Sequence, residues 1–430
     1  MQKFKPRQLF LSAGYLVCML GLASFNREDA FFLLLVTILS VWLTSRIAKN
    51  SKVSPFLVLV LFVIARVVFF LFDPQLSDDV FRFHWDALVQ QEGLLPYQFL
   101  PSELLDLKTS QNELYLKLNS KDYYSVYPPL LQYLFFGVKS IFPQHFYLGL
   151  KVVIVGVELL LYLLIYVINE RSSIFKVSHL YMLMLFPVLI LEGIGNFHLE
   201  VLMIPFFLLA YVLHQTKREL VSALVFAIAI SVKVTIAPML LLFVGKGIRE
   251  DFKFLSVLII TMAMFNLEII SYWSEFSTSL NLYFSSFEFN NLVYFLIREI
   301  WQPIVGYNPI QHYGFIYKWG LLLLAISFYG LCLIKQKKAV VLLHVFFGVY
   351  FLFNPVIHPW YLLVPLSLNL IYRVIFWEIW SVIVLLSYAF YSNGEQLGWW
   401  IYVEYSVLFI VGLYYWYGKK YSFAVSWKRS

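Results

Sequence analysis

The sequence predicts an all-α, polytopic transmembrane helical bundle with amphipathic interfacial helices in two large outer loops. Three observations carry this. Hydrophobic residues fill 61% of the 430 positions and charged residues only 13%, where a soluble domain averages about 25% charged, and mean hydropathy is +0.76. Apolar runs near the roughly 20 residues needed to cross a bilayer recur along the chain. The basic residues sit in short clusters between those runs, which is how topology determinants are distributed. The net charge of +7 is therefore not a nucleic-acid surface, and nucleic acid is excluded as a partner.

Taken in order, the basic start Lys3, Lys5 and Arg7 imitates a signal peptide, but no small-residue cleavage site follows before Asn26–Asp29, so an uncleaved first helix is expected. Candidate spans fall at about 9–25, 30–47, 54–72, 146–168, 177–191, 199–214, 219–232, 234–245, 254–272, 316–334, 340–353, 359–375, 376–391 and 399–417, giving 12 to 14 crossings. The pair around Lys233 reads either as one broken helix or as a re-entrant hairpin. Four regions result: two N-terminal spans (1–53), a membrane module (54–272) with an outer loop at 73–145, a second outer loop (273–315), and C-terminal spans with a basic tail (316–430). Cys18 and Cys332 lie far apart in apolar segments, which suggests neither a disulfide framework nor a thiolate site.

Orientation follows from the basic residues. With the N-terminus inside, the inner loops hold Arg46/Lys49/Lys52, Arg171/Lys176, Lys217/Arg218, Lys246/Arg249/Lys253, Lys335/Lys337/Lys338 and the tail Lys419/Lys420/Lys428/Arg429. Both termini are then cytoplasmic. Residues 73–145 carry nine acids against five Lys or Arg and fall outside. So do the turn at 193–200, the loop at 273–311 and the turn at 354–360. Every polar constellation of interest is thus expected on the outer side, where cytosolic nucleotide sugars are absent and substrates would have to be lipid-borne.

The outer loops have structure of their own. Residues 78–92 scan as an amphipathic helix, with Phe81, Trp85 and Leu88 on one face and Asp79, Asp86 and Gln90 on another; 102–118 and 281–300 look similar. The short run 128–142 reads as a helix dipping into the outer leaflet.

Asp78 and Asp79 open the first of these helices, where a carboxylate suits the helix dipole and can cap free N–H groups. On a generic loop they would be a charged cap. Just past a membrane exit, two acids also suit deprotonation of an acceptor hydroxyl. Arg82 can pair along the helix with Asp78 or Asp86. His198 and Glu200, with Glu192 and Asn196, gather polar groups at a depth where ionisable side chains are costly and face a cavity or a partner. Their spacing matches no metal site, and no metal or other cofactor is expected. Lys233 either snorkels outward or meets an anionic headgroup. His358 stands in a similar position beside Trp360 and Tyr361, which read as an interfacial aromatic belt. Lysine and histidine converging on an outer cavity would suit a departing phosphate. Arg66 is a further candidate, and Arg298 a weaker one.

Read in order, Asp78-Asp79, LLPY at Leu94 to Tyr97, VYPPLLQ at Val126 to Gln132, GNFHLE, SVKVTIAP and HPWYLLVPL each sit at a helix end or membrane exit. This order resembles the GT-C superfamily of integral-membrane glycosyltransferases over residues 54 to about 375. It is most similar to bacterial polyprenyl-phosphate-mannose-type enzymes, and distantly to the first mannosyltransferase of GPI-anchor synthesis. The resemblance implies inverting transfer of a hexose, mannose by family, from a polyprenyl-phosphate donor to a glycolipid, glycan or protein acceptor. It also implies a periplasmic active site in a bacterial inner membrane. The base role carries over to Asp78 and Asp79 without choosing between them; Lys233 and His358 fall near the donor phosphate, and Tyr127 in the VYPPLLQ motif among the substrate contacts. Two departures stand out: Leu95 where related sequences often have Asn, and His-Leu-Glu where they often have His-Asn-Asp or Ala-Asp, which leaves the role of Glu200 open.

Two other classes compete. A flippase or transporter for lipid-linked sugars would use the intramembrane charges Glu158, Glu268 and Arg373, although no inverted repeat is visible. An O-antigen-type polymerase or ligase would call for an arginine-rich outer loop, where this chain has an acidic one.

Overall fold

The computed structural model describes residues 6–50, 53–285, 287–335, 339–393 and 399–427. Lys3, Lys5, Lys52, Lys337, Lys338, Lys428 and Arg429 lie outside the described residues. The described residues form helices and connecting turns, with one isolated parallel bridge between Phe289 and Val356 and no strand.

The chain starts as a helical hairpin, Pro6–Ser24 and Ala30–Ala48, closed by a reciprocal cap: Asn26 Oδ1 accepts from Glu28 N at 2.7 Å and Asp29 accepts from Asn26 N at 3.1 Å. Pro55–Val67 follows, with Pro55 in its first turn and Ser54 Oγ accepting from Leu57 N. A 3-10 turn, Val68–Leu71, brings it to the first large loop. Lys151, on the long helix Phe146–Ser172, donates to the carbonyls of Phe69 and Phe72 at 2.7 and 2.6 Å and so ties down the carbonyl end of that segment.

The next span is broken. Val177–Met184 and Pro187–Gly195 meet at 43°, because Pro187 has no N–H to give and its ring excludes the preceding turn. The break frees carbonyls inside the bundle, and each finds a donor: Leu185 O accepts from Tyr15 Oη and Thr44 Oγ1, and Met184 O from Arg66. Arg66 is itself wholly buried and forks onto Glu158 through Nε at 2.7 Å and a second contact through Nη2. A broken span is tolerated where other helices satisfy its backbone in this way. The two N-terminal helices thus pack into the same core as the rest.

Among the described residues, Pro6–Ser24, Arg27–Ala48 and Phe146–Ser172 are long and apolar enough to cross a membrane, and the bent pair makes a fourth. The expected spans 316–334 and 399–417 fall inside the long helices Ile310–Lys335 and Trp399–Trp427, while several others are shorter or interrupted. Residues 234–245 contain a nine-residue 3-10 segment, Val234–Leu242, with Pro238 inside it. Residues 359–375 divide into Pro359–Leu362, Leu363–Ser367 and Leu368–Leu370. Around Lys233 there is a helix break: Glu219–Val232 ends there, Lys233 is extended (φ −158°, ψ 125°), and the 3-10 segment follows.

The first loop holds Asp79–Gln91 as expected, with Trp85 and Val89 packed on Leu114, Tyr115 and Leu118. Its polar face closes around the buried Asp86, which accepts from Arg82 Nε (2.7 Å), Ser125 Oγ (2.6 Å) and Gln132 Nε2 (2.9 Å). The segment expected at 102–118 is three short turns, Pro101–Glu103, Leu105–Ser110 and Asn112–Leu116. Pro129–Ile141 is a helix. The helix expected at 281–300 is instead two, Trp273–Ser285 and Leu292–Val305, divided where Asn291 caps the second and donates to the Asn354 carbonyl. Phe289 N donates to Pro355 O and Ile357 N to Phe289 O, so this loop is stitched to the turn preceding His358.

Candidate active site

Five chain segments end at one place. Helix Asp79–Gln91 begins there, the broken span arrives through a π-helical turn at Leu191–Gly195, and Glu200–Gln215 departs from it. Lys233 stands at the helix break, and His358 precedes Pro359–Leu362. The turn between Gly195 and Glu200 is tight: Asn196 N and His198 N donate back to Leu191 O and Glu192 O, and Phe197 takes a left-handed φ of 61°. A bulky residue there costs on the order of 1–3 kcal/mol, which the surrounding packing must hold. Gly193 is required by proximity, since a Cβ there would lie 2.5 Å from the Val201 side chain.

The two adjacent aspartates face different neighbours. Asp78 pairs with Arg27 from the N-terminal hairpin at 2.9 Å, and the guanidinium also covers Tyr391. Asp79 has other partners, with Oδ2 4.0 Å from His198 Nε2 and Oδ1 accepting from Asn119 at 3.2 Å. Neither carboxylate caps the helix as expected: Asp78 makes no side-chain cap bond because its oxygen is engaged by Arg27.

His198 is fixed from behind. Its Nδ1 lies 3.0 Å from Glu192 Oε2, and Glu192 also accepts from Tyr388 Oη and Asn196 Nδ2. Above the His198 ring lies Trp360, 3.6 Å between centroids, then His358 at 4.3 Å and Phe289 at 4.6 Å. Four rings from three chain segments form one stack. Trp360 is therefore the middle of a sandwich between two imidazoles. Lys233 pairs with Glu200 and lies over Tyr361. Among the described residues, three buried polar atoms in this cluster have no hydrogen-bond partner: His198 Nε2, Glu200 Oε2 and His358 Nδ1. Unpaired buried groups are costly, and three of them gather in this one cluster. Burial drives the pKa of His198 down to about 4 and that of His358 to about 3, despite the nearby Asp79 carboxylate in the first case, so both rings are neutral at pH 7.

The structure brings Asp79, His198, Glu200, Lys233 and His358 together. It keeps other expected residues elsewhere. Arg66 is committed to Glu158 and the helix break. Arg82 is spent on Asp86 and the Ser120 and Tyr123 carbonyls, inside the first loop. Tyr127 packs edge-on against Phe83, and its carbonyl accepts from Tyr97. Arg298 pairs with Glu288 and Glu299. Among the described residues no group of three or more His, Cys, Asp or Glu is placed to hold a metal.

Residues 26–248 match the family model of the alpha-(1->6)-mannopyranosyltransferase N-terminal domain, the MptA_B family. The chain belongs to this family. The matched residues in this mannosyltransferase begin at the Asn26 cap and include both aspartates, the His198 turn and Lys233; His358 and Trp360 come from beyond them. The family places the protein with enzymes that move mannose, rather than with flippases or polymerases. No curated protein and no solved structure matches the chain.

Proposed function

We propose that this membrane mannosyltransferase takes mannose from a polyprenyl-phosphate donor on the outer face of the membrane and attaches it, with inversion, to an acceptor hydroxyl. The observation that carries this reading is the divergence of the two aspartates: Asp79 alone faces the cluster of unpartnered polar groups. Asp79 takes the proton of the acceptor hydroxyl. The hydroxyl oxygen forms the new bond to the anomeric carbon from the side opposite the phosphate, and the anomeric C–O bond breaks with its electron pair leaving on the phosphate.

His198 acts through Asp79 as a positioning residue, itself held by Glu192 and the Trp360 face. Lys233 supplies positive charge for the departing phosphate, and Glu200 keeps its ammonium in place. Charge developed at a preorganised site is stabilised without reorganisation. The position of this cluster at the end of several apolar helices, and the inward bias of the basic loops, favour an extracytoplasmic site fed by a lipid-linked sugar. Arg66 and Arg82 have no part in donor binding on this reading.

The test is transfer of label from radiolabelled polyprenyl-phosphate mannose to a lipid extract in vesicles carrying the protein. Transfer by the wild type and its loss in Asp79→Asn, with Asp78→Asn still active, support the assignment. Transfer from a nucleotide sugar instead would sink the donor, and an active Asp79→Asn enzyme would sink the base.

A further inference from the structure

We propose that the opposite end of the bundle holds a second ligand site, which takes the phosphate monoester headgroup of an acidic membrane lipid. The cavity there has a volume of about 70 Å³. Lys49, Ser178 and His179 stand at its polar side, the Arg373–Glu378 pair forms a wall, and the floor includes Leu183 and Phe186.

Two helices fix its position. Ala30–Ala48 starts beside the Arg27–Asp78 pair and ends at Lys49. Nineteen helical residues span about 28 Å at 1.5 Å each, close to the roughly 30 Å apolar thickness of a bilayer. The broken span runs between the same two places, from Ser178 and His179 to the His198 turn. The cavity therefore lies one membrane thickness from the candidate active site, at the other interface.

Its chemistry is that of an anion site over an apolar floor. Arg373 is met by Glu378, with Nε and Nη2 at 2.6 and 2.7 Å from its oxygens. Among the described residues the side chains of Lys49, Ser178 and His179 have neither a hydrogen-bond nor an ion-pair partner, so an ammonium, a hydroxyl and an imidazole are open together. Arg373, Lys176 and Lys49 act on His179 against the single carboxylate Glu378, which leaves this rim with more cations than carboxylates. A phosphate ester satisfies such donors, and the leucine and phenylalanine floor suits the start of a hydrocarbon chain. The inference does not rest on the sugar-transfer reading.

The experiment is thermal unfolding of the full chain in detergent, after delipidation, with added dihexanoyl phosphatidic acid, dihexanoyl phosphatidylcholine or inorganic phosphate. Phosphatidic acid is expected to raise Tm in a saturable manner, since a ligand that binds only the folded state stabilises it. Lys49→Glu should weaken the apparent affinity at least tenfold, Lys49→Arg should retain it, and Asp79→Asn should leave it unchanged. Lys49 is exposed at a helix end, so the unliganded Tm of its variants should equal that of the wild type. Equal stabilisation by inorganic phosphate would assign the cavity to a soluble phosphate compound and overturn the lipid. Equal stabilisation by phosphatidylcholine, unchanged affinity in Lys49→Glu, or loss of the effect in Asp79→Asn would overturn the site itself.

Discussion

Oδ2 of Asp79 lies 4.0 Å from Nε2 of His198, while the adjacent Asp78 is drawn 2.9 Å from Arg27 on the other side. Two neighbouring carboxylates are thereby given different environments by one turn of backbone. Asp79→Asn is expected to lower the transfer rate by about 10²–10⁴-fold, the usual worth of a general base. Asp78→Asn should cost less than about tenfold, since an exposed ion pair contributes roughly 0–1 kcal/mol. Single-turnover transfer rates for the two variants, with matched Tm values, check this.

The ring stack makes a separate prediction. Trp360 is sandwiched between His198 and His358, and aromatic contacts of this kind are worth about 0.5–1.5 kcal/mol each beyond burial. Trp360→Ala should lower kcat/KM by about 10- to 100-fold, with Trp360→Phe recovering most of it. Equal loss in both variants would mean that the indole serves something other than the stack.

Arg66 and Glu158 form a wholly buried pair that also supports the break before Pro187. Removing one partner of a buried pair costs about 3–5 kcal/mol. Arg66→Met should therefore reduce the yield of folded protein and its Tm, with Glu158→Gln similar. The double variant should recover part of the loss, because no lone charge then remains. A well-folded Arg66→Met protein that had lost only donor binding would return Arg66 to the active site.

The histidines predict a pH dependence of stability. Burial holds His198 near 4 and His358 near 3, below the ordinary value of about 6.5. Below pH 6.5 the unfolded chain binds protons that these two folded rings refuse, so their contribution to stability is full above that pH and falls as the pH drops through this window. The slope from each ring is at most about 1.4 kcal/mol per pH unit. Thermal unfolding between pH 4 and 7.5 measures it, and His358→Asn should flatten the curve; an unchanged slope in that variant would mean the ring titrates freely.

Much of this protein was legible in the sequence. Apolar length and the scarcity of charge determine an all-α membrane protein, because a backbone out of water must satisfy itself within helices. The amphipathic pattern of Asp79–Gln91 and the short polar motifs at helix ends also marked the residues that converge, from Asp79 to His358. The tertiary structure decided what periodicity cannot encode. It gave Asp78 and Asp79 different partners through Arg27, a residue 51 positions away from Asp78. It also turned Arg66 and Arg82 from candidate ligands into internal supports by surrounding them with Glu158, Asp86 and freed carbonyls. Nothing local marks Tyr388 in its apolar run, yet its hydroxyl holds Glu192, and nothing local shows that His198 lies on the face of Trp360. Hydrophobic spacing is a property of one segment, whereas the partner of a charge or a ring is set by which distant segments end at the same point.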